Sequence, residues 1–186
     1  MDKNAISDLL TERNYCGKNL LEMYTIVDEA NSLKMCQKKD LLTKDPDING
    51  YTLLHYAAIW NRANLIKWLY LIAGFSIYDA TKYGEKPIDT AKRYQNKEAI
   101  HALEWADCRN GILSLISRMR ALITATDKTS FRLMKEEKKL AESSCNEHES
   151  WLNNTPDPTY GELYAKRGQL ELILEPFIEK LSSAVS

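Results

Sequence analysis

The sequence predicts an all-α chain, a short stack of helix-pair repeats packed on a C-terminal helical bundle. Two observations carry this. Gly17, Gly50 and Gly84 are separated by 33 and 34 residues, and each opens a stretch in which the same side-chain types return at the same places. After Ala106 that period stops, and three longer patterns with helical spacing of apolar residues take over. The division is therefore expected to give repeats with an N-terminal cap over 1–107 and a bundle over 108–186. The repeats themselves fall near 17–49, 50–83 and 84–107.

The first element is a short amphipathic stretch from Ala5 to Leu10, expected to cap the stack. In the opening helices, Leu20 and Leu21 correspond to Leu53 and Leu54, and then to Pro87 and Ile88. In the return helices Leu33, Ile66 and Ile100 fall together, as do Cys36, Leu69 and Leu103. Each pair thereby carries an apolar face that only a stacked neighbour can cover. The middle repeat places Thr52 at the N-cap and His55 three residues on; the third has Lys86, Pro87 at the first helical position, and Asp89; the first has Asn19 and Glu22. This decay toward polar residues suits terminal repeats, whose outer faces meet water.

The run Gly50-Tyr51-Thr52-Leu53-Leu54-His55-Tyr56-Ala57-Ala58 resembles the opening helix of an ankyrin repeat. The resemblance implies a scaffold that engages protein partners through turn tips and the exposed side of the first helices. Aromatic and arginine side chains most often anchor such contacts. The candidate protein-binding residues are accordingly Tyr51, Tyr56, Ile59 and Trp60 in the middle repeat and Tyr83, Arg93 and Tyr94 in the third. A competing assignment packs Trp60 and Tyr94 between repeats or against the bundle.

In the second half, Ile112, Leu115, Ile116, Met119, Leu122 and Ile123 form the stripe of one helix. Leu140, Ala141, Cys145, His148, Trp151 and Leu152 form that of a second. Thr159 and Glu162 predict a capping box opening the third, in which Leu163, Leu170 and Phe177 repeat every seven residues beside Leu174 and Leu181. Pro176 is expected to kink it. Loops are expected over 124–130 and 153–158, and the joint at 104–110 carries no proline.

The apolar helix Gly111 to Ala125, the Lys135 to Lys139 start, Cys145 with Glu147 and Trp151-Leu152, and the run Leu174 to Ile178 resemble the helical lid of seventy-kilodalton heat-shock chaperones. That family's nucleotide-binding domain, peptide-binding β-sandwich and acidic tail have no counterpart in these residues, so the ATP-driven cycle is not expected. Repeats followed by a lid-like bundle are similar to a group of ankyrin-repeat proteins associated with cilia and dividing cells. This resemblance implies a cytoplasmic or axonemal adaptor, or a structural subunit of a ciliary or other microtubule-based assembly. The alternative it leaves open is a chaperone-associated cofactor whose bundle contacts heat-shock chaperones or their clients.

Charge and cysteine usage exclude other classes. Twenty-five basic and 26 acidic side chains give a net charge of -1, with no basic stripe for a phosphate backbone, so no nucleic-acid partner is expected. The longest uncharged apolar run, Trp68 to Tyr78, falls short of the roughly 20 residues a membrane span needs, so no membrane partner is expected either. Cys16, Cys36, Cys108 and Cys145 form no close pair that would clip a metal. His55 belongs to the repeat motif, His101 lacks partners at ligand spacing, and His148 lacks a second histidine where Leu152 stands. No cofactor, metal or catalytic set is expected, and the chain reads as non-enzymatic.

Overall fold

The computed structural model describes residues 3–126 and 133–182, with side chains over 6–125 and 133–182. Among the described residues every regular element is helical: α1 (Lys3–Thr11), α2 (Leu20–Ile26), α3 (Ala30–Lys38), α4 (Leu53–Ile59), α5 (Ala63–Leu71), α6 (Pro87–Arg93), α7 (Lys97–Thr126), α8 (Lys135–Asn154) and α9 (Tyr160–Ser182). The chain divides into two compact units, Met1–Ala106 and Asp107–Ser186. Residues 97–106 of α7 belong to the first and residues 107–126 to the second.

In the first unit the short helices α2, α4 and α6 stand side by side, with α4 between the other two. α3 packs behind α2, α5 behind α4, and α1 covers α2. The seven-residue inner helices gain little from their own hydrogen bonds, since isolated helices this short do not persist in water. They exist because Leu21, Leu54, Ala57, Ala58 and Ala91 are buried between neighbours. The alanines matter by being small: with no side chain beyond Cβ, adjacent helices approach closely. From the back row Leu33, Ile66, Leu69 and Leu103 complete the core. Ile100, expected in this row, is only half-buried, and Ala99 lies inside with Leu103.

In the second unit α7 contributes Ile112, Ile116, Met119 and Ile123, which return to one face every three or four residues. α8 packs on α9. It buries Ala141, Cys145, His148 and Leu152, but Leu140, expected in that stripe, is exposed and Trp151 is half-buried. α9 opens with the expected capping box: Thr159 N–H donates to Glu162 Oε2 at 2.8 Å and Glu162 N–H to Thr159 Oγ1 at 3.3 Å. Its buried line is Leu163, Leu170, Leu174, Ile178 and Leu181, so Ile178 occupies the place expected of Phe177. The step from Leu174 to Ile178 follows 3.6 residues per turn rather than a strict heptad. α9 continues through Pro176 to Ser182. Of the loop expected over 124–130, residues up to Thr126 are helical and 127–130 lie outside the described residues.

Candidate protein-binding face

One turn geometry is built three times in the first unit, by three different side chains. Asn14 Oδ1 accepts the N–H groups of Cys16 and Lys18 at 2.9 and 3.0 Å. Asp47 Oδ1 accepts those of Asn49 and Tyr51, both at 2.8 Å. Thr81 Oγ1 accepts those of Tyr83 and Glu85, both at 3.3 Å. In each turn the glycine three residues on closes the loop onto the backbone carbonyl of the same residue, over 2.8, 2.9 and 2.9 Å. Gly17, Gly50 and Gly84 stand at φ +71, +89 and +78 to do so, a backbone region that costs other residues a Cβ clash. Gly50 has a second duty. A Cβ there would lie 2.9 Å from Lys82 N and Thr81 Cα, because the following turn rests on it and Lys82 N–H donates to Asn49 O at 2.9 Å.

Each turn feeds an inner helix whose N-cap backbone N–H is held by the residue three positions on. Asn19 N–H goes to Glu22 Oε2 at 3.2 Å, Thr52 N–H to His55 Nδ1 at 3.1 Å, and Lys86 N–H to Asp89 Oδ2 at 3.0 Å. Because Nδ1 of His55 accepts, its proton sits on Nε2, which donates to Glu85 O in the following turn at 3.1 Å. Burial holds His55 below its ordinary pKa, in the neutral form this arrangement needs. Both ring nitrogens are therefore occupied, Nδ1 in capping its own helix and Nε2 in joining it to the next repeat. The opposite ends of the inner helices are joined as well: Arg62 Nη2 donates to Ile26 O at 2.7 Å, and Asn96 Nδ2 to Ile59 O at 2.7 Å. Arg62 and Asn96 hold the same place in successive repeats, and both satisfy a helix-terminal carbonyl of the repeat before.

The structure separates the candidate residues into three groups. Tyr51, Arg93 and Tyr94 are brought together. The Arg93 guanidinium reaches Tyr51 Oη at 3.3 Å, pairs with Glu85 Oε2 at 2.9 Å, and lies 4.8 Å from the centre of the Tyr94 ring. Trp60 and Tyr94 are each 49% exposed and cap the C-termini of α4 and α6, so neither is packed away inside the repeats. Ile59 is half-buried beside Trp60, and Tyr83 stands 73% exposed at its turn tip, as Tyr15 and Ile48 do on theirs.

Tyr56 is a correction. It is 4% exposed and cannot present itself to a partner. Its hydroxyl donates to Asp47 Oδ2 at 2.7 Å, accepts from Lys18 Nζ, and the same ammonium lies 4.4 Å from the ring centre. Lys18 belongs to the first turn and Asp47 to the second, so Tyr56 clasps two repeats together. Burial and the Asp47 carboxylate push its phenol well above the ordinary range. Burial would raise Asp47 too, but the Tyr56 hydroxyl, two backbone N–H groups and Lys18 outweigh it and hold the carboxyl low. The polar turn residues Asn14, Asp47 and Thr81 were missed as a set, although their spacing equals that of the glycines.

Among the described residues no group of His, Cys, Asp and Glu could hold a metal, and no helix is long and apolar enough to cross a membrane. A family model for the ankyrin repeat matches residues 49–78, the middle turn and its two helices. Ankyrin repeat domain-containing protein 45 of Danio rerio is 30% identical over 135 residues, covering 72% of this chain and 59% of that protein. The Homo sapiens protein of the same name is 31% identical over 175 residues, covering 94% of this chain and 65% of its own length. The resemblance to ankyrin-repeat proteins is thus borne out along most of the chain. The chain itself spans less than two thirds of these relatives' length.

Proposed function

We propose that this chain is a non-enzymatic adaptor that binds a partner protein through the inner-helix face of its repeats. The observation that carries this is the cluster of Tyr51, Arg93 and Tyr94, together with the exposed Trp60 at the C-cap of α4, solvent-accessible side chains held on helices and turns locked by hydrogen bonds between repeats. Rigid aromatic and arginine anchors of this kind supply most of the energy of protein contacts at low entropic cost. A catalytic role for His55 is disfavoured because both of its nitrogens are engaged. The relatives carry ankyrin repeats in their names, which supports a protein-interaction role here.

The finer reading places the adaptor, or fixed structural subunit, in a ciliary, axonemal or other microtubule-based assembly, and it rests on the resemblance alone. Quantitative affinity purification of the tagged chain from ciliated cells tests both levels. A variant carrying Tyr51→Ala, Trp60→Ala and Tyr94→Ala, checked for native helicity, runs beside it. Axonemal proteins that co-purify with wild type and fall roughly tenfold or more with the variant support the reading. Heat-shock chaperones retained equally by both would transfer the binding role to the second unit.

A further inference from the structure

We propose that the edge formed by the C-termini of α2, α4 and α6 takes a second copy of this chain, turned end for end about Trp60. This rests on the reading that the repeats bind protein, and it names the protein for one edge of them. Val27, Trp60 and Tyr94 are the C-caps of the three helices and are 56%, 49% and 49% exposed. Arg62 bonds Ile26 O and Asn96 bonds Ile59 O, so the order along the edge is fixed as Val27, Trp60, Tyr94.

Charge identifies what covers this edge. Over places that the glycine period aligns, residues 25–32 hold Asp28 and Glu29 and no base, and residues 58–65 hold Arg62 alone. Residues 92–99 hold Lys92, Arg93 and Lys97 against Glu98. The edge is therefore acidic at the first repeat and basic at the third. Lys34 and Lys67, a turn further along the return helices, reduce the contrast without reversing it. Several of these groups are committed within the fold. Asp28 lies 3.9 Å from Arg62, Arg93 pairs with Glu85 at 2.9 Å, and the Glu98 carboxylate accepts from Asn61 Nδ2. Asp89, one turn before Lys92, holds Lys86 N–H at 3.0 Å at the opposite end of α6. What remains for a partner is Glu29 at one end and Lys92 and Lys97 at the other, all exposed.

A uniformly acidic or uniformly basic partner would match one end of this edge and be repelled by the other. The edge itself, reversed, matches both. An isologous contact sets a surface against itself about a two-fold axis. With the axis at the central repeat, each Trp60 meets its mate and each Val27 faces the other chain's Tyr94. Each acidic end then lies on the other chain's basic end. Laid parallel, the same edges would set like charge on like, which is unfavourable. The turn tips, at the other ends of the inner helices, stay open to a further protein.

Analytical ultracentrifugation of the full chain from micromolar to millimolar concentration tests the proposal. The expected mass rises toward twice the 21.4 kDa of one chain, and salt weakens the association. Asp28→Asn with Glu29→Lys makes the first end basic and keeps at position 28, where φ is 64, a residue that tolerates the left-handed region. Lys92→Glu with Lys97→Glu makes the third end acidic. Each variant, checked for native helicity, should self-associate roughly tenfold or more weakly than wild type, because like charges then meet. An equimolar mixture of the two should return to within about threefold of wild type, because opposite charges meet again at both ends. A loss of helix stability cannot produce that recovery. The mass of one chain at every concentration, a dimer indifferent to both variants, or a mixture that stays monomeric would overturn the second copy. The adaptor reading is decided separately, by whether the Tyr51, Trp60 and Tyr94 variant loses its partners from ciliated cells.

Discussion

Gly50→Ala should cost several times more than Gly84→Ala, although both alter the same position of the same turn. At Gly84, φ is +78 and an added Cβ meets nothing within 4 Å. Alanine there bears only the left-handed backbone cost, about 1–2 kcal/mol, partly offset by a stiffer unfolded chain. At Gly50, φ is +89 and the Cβ would sit 2.9 Å from Lys82 N and Thr81 Cα, backbone atoms that cannot swing aside as a side chain would. Forcing them away adds overpacking of about 1–3 kcal/mol. It also weakens the bond from Lys82 N–H to Asn49 O, worth about 1 kcal/mol. The total is about 3–6 kcal/mol, against about 1–2 for Gly84. Thermal and urea denaturation followed by circular dichroism should show the difference, because about 1 kcal/mol moves Tm by roughly 4–8 °C in a domain of about 100 residues. Equal losses in the two variants would refute the reasoning, since they would mean that successive turns do not lean on one another.

The remaining predictions concern His55, Tyr56 and the cysteines. Because burial lowers the folded pKa of His55 below its ordinary 6.5, the unfolded chain binds the extra proton first. Stability of the repeats should be full above about pH 6.5 and decline as pH falls below it. His55→Gln should flatten that slope in denaturation curves taken between about pH 5 and 7. Tyr56→Phe should destabilise the repeats by about 1.5–3 kcal/mol through loss of the bond to the Asp47 carboxylate. Partner affinity of the folded fraction should stay unchanged; a selective loss of affinity would restore Tyr56 to the binding face. Cys16 is exposed, Cys36 is half-buried with its thiol pushed up by burial, and Cys108 and Cys145 are buried with thiols shifted the same way. Mass spectrometry after brief maleimide treatment should find Cys16 labelled first, and Cys108 and Cys145 only after denaturant.

The parts of the fold that were legible in the sequence are those where one residue type serves one purpose. Gly17, Gly50 and Gly84 mark the repeat because their left-handed backbone leaves few alternatives. Thr52 and His55 mark the middle repeat because a cap and its partner need fixed spacing. What escaped is what several residue types can do. A turn can be closed by the amide of Asn14, the carboxylate of Asp47 or the hydroxyl of Thr81, so no letter repeats. A helix-end carbonyl can be satisfied by Arg62 or by Asn96. Tyr56 looked available because its position can face a partner, but its hydroxyl is taken up by Asp47 and by Lys18 from the neighbouring turn. In the candidate site the aromatic content was legible, but that Val27 is the C-cap of α2 as Trp60 and Tyr94 are of α4 and α6 was not. A small aliphatic residue gives no signal until Trp60 and Tyr94 are seen to occupy the same cap. The joint at 104–110 carries no proline, and α7 runs through it from Lys97 to Thr126.

Site-specific photocrosslinking in ciliated cells tests the binding face most directly. A benzophenone amino acid would replace, one at a time, Trp60, Tyr94 and, on the second unit, the exposed Tyr164. A discrete higher-mass adduct to a protein is expected from positions 60 and 94, lost when the other residue of that pair is changed to alanine. Adducts confined to position 164, with none from 60 or 94, would contradict it.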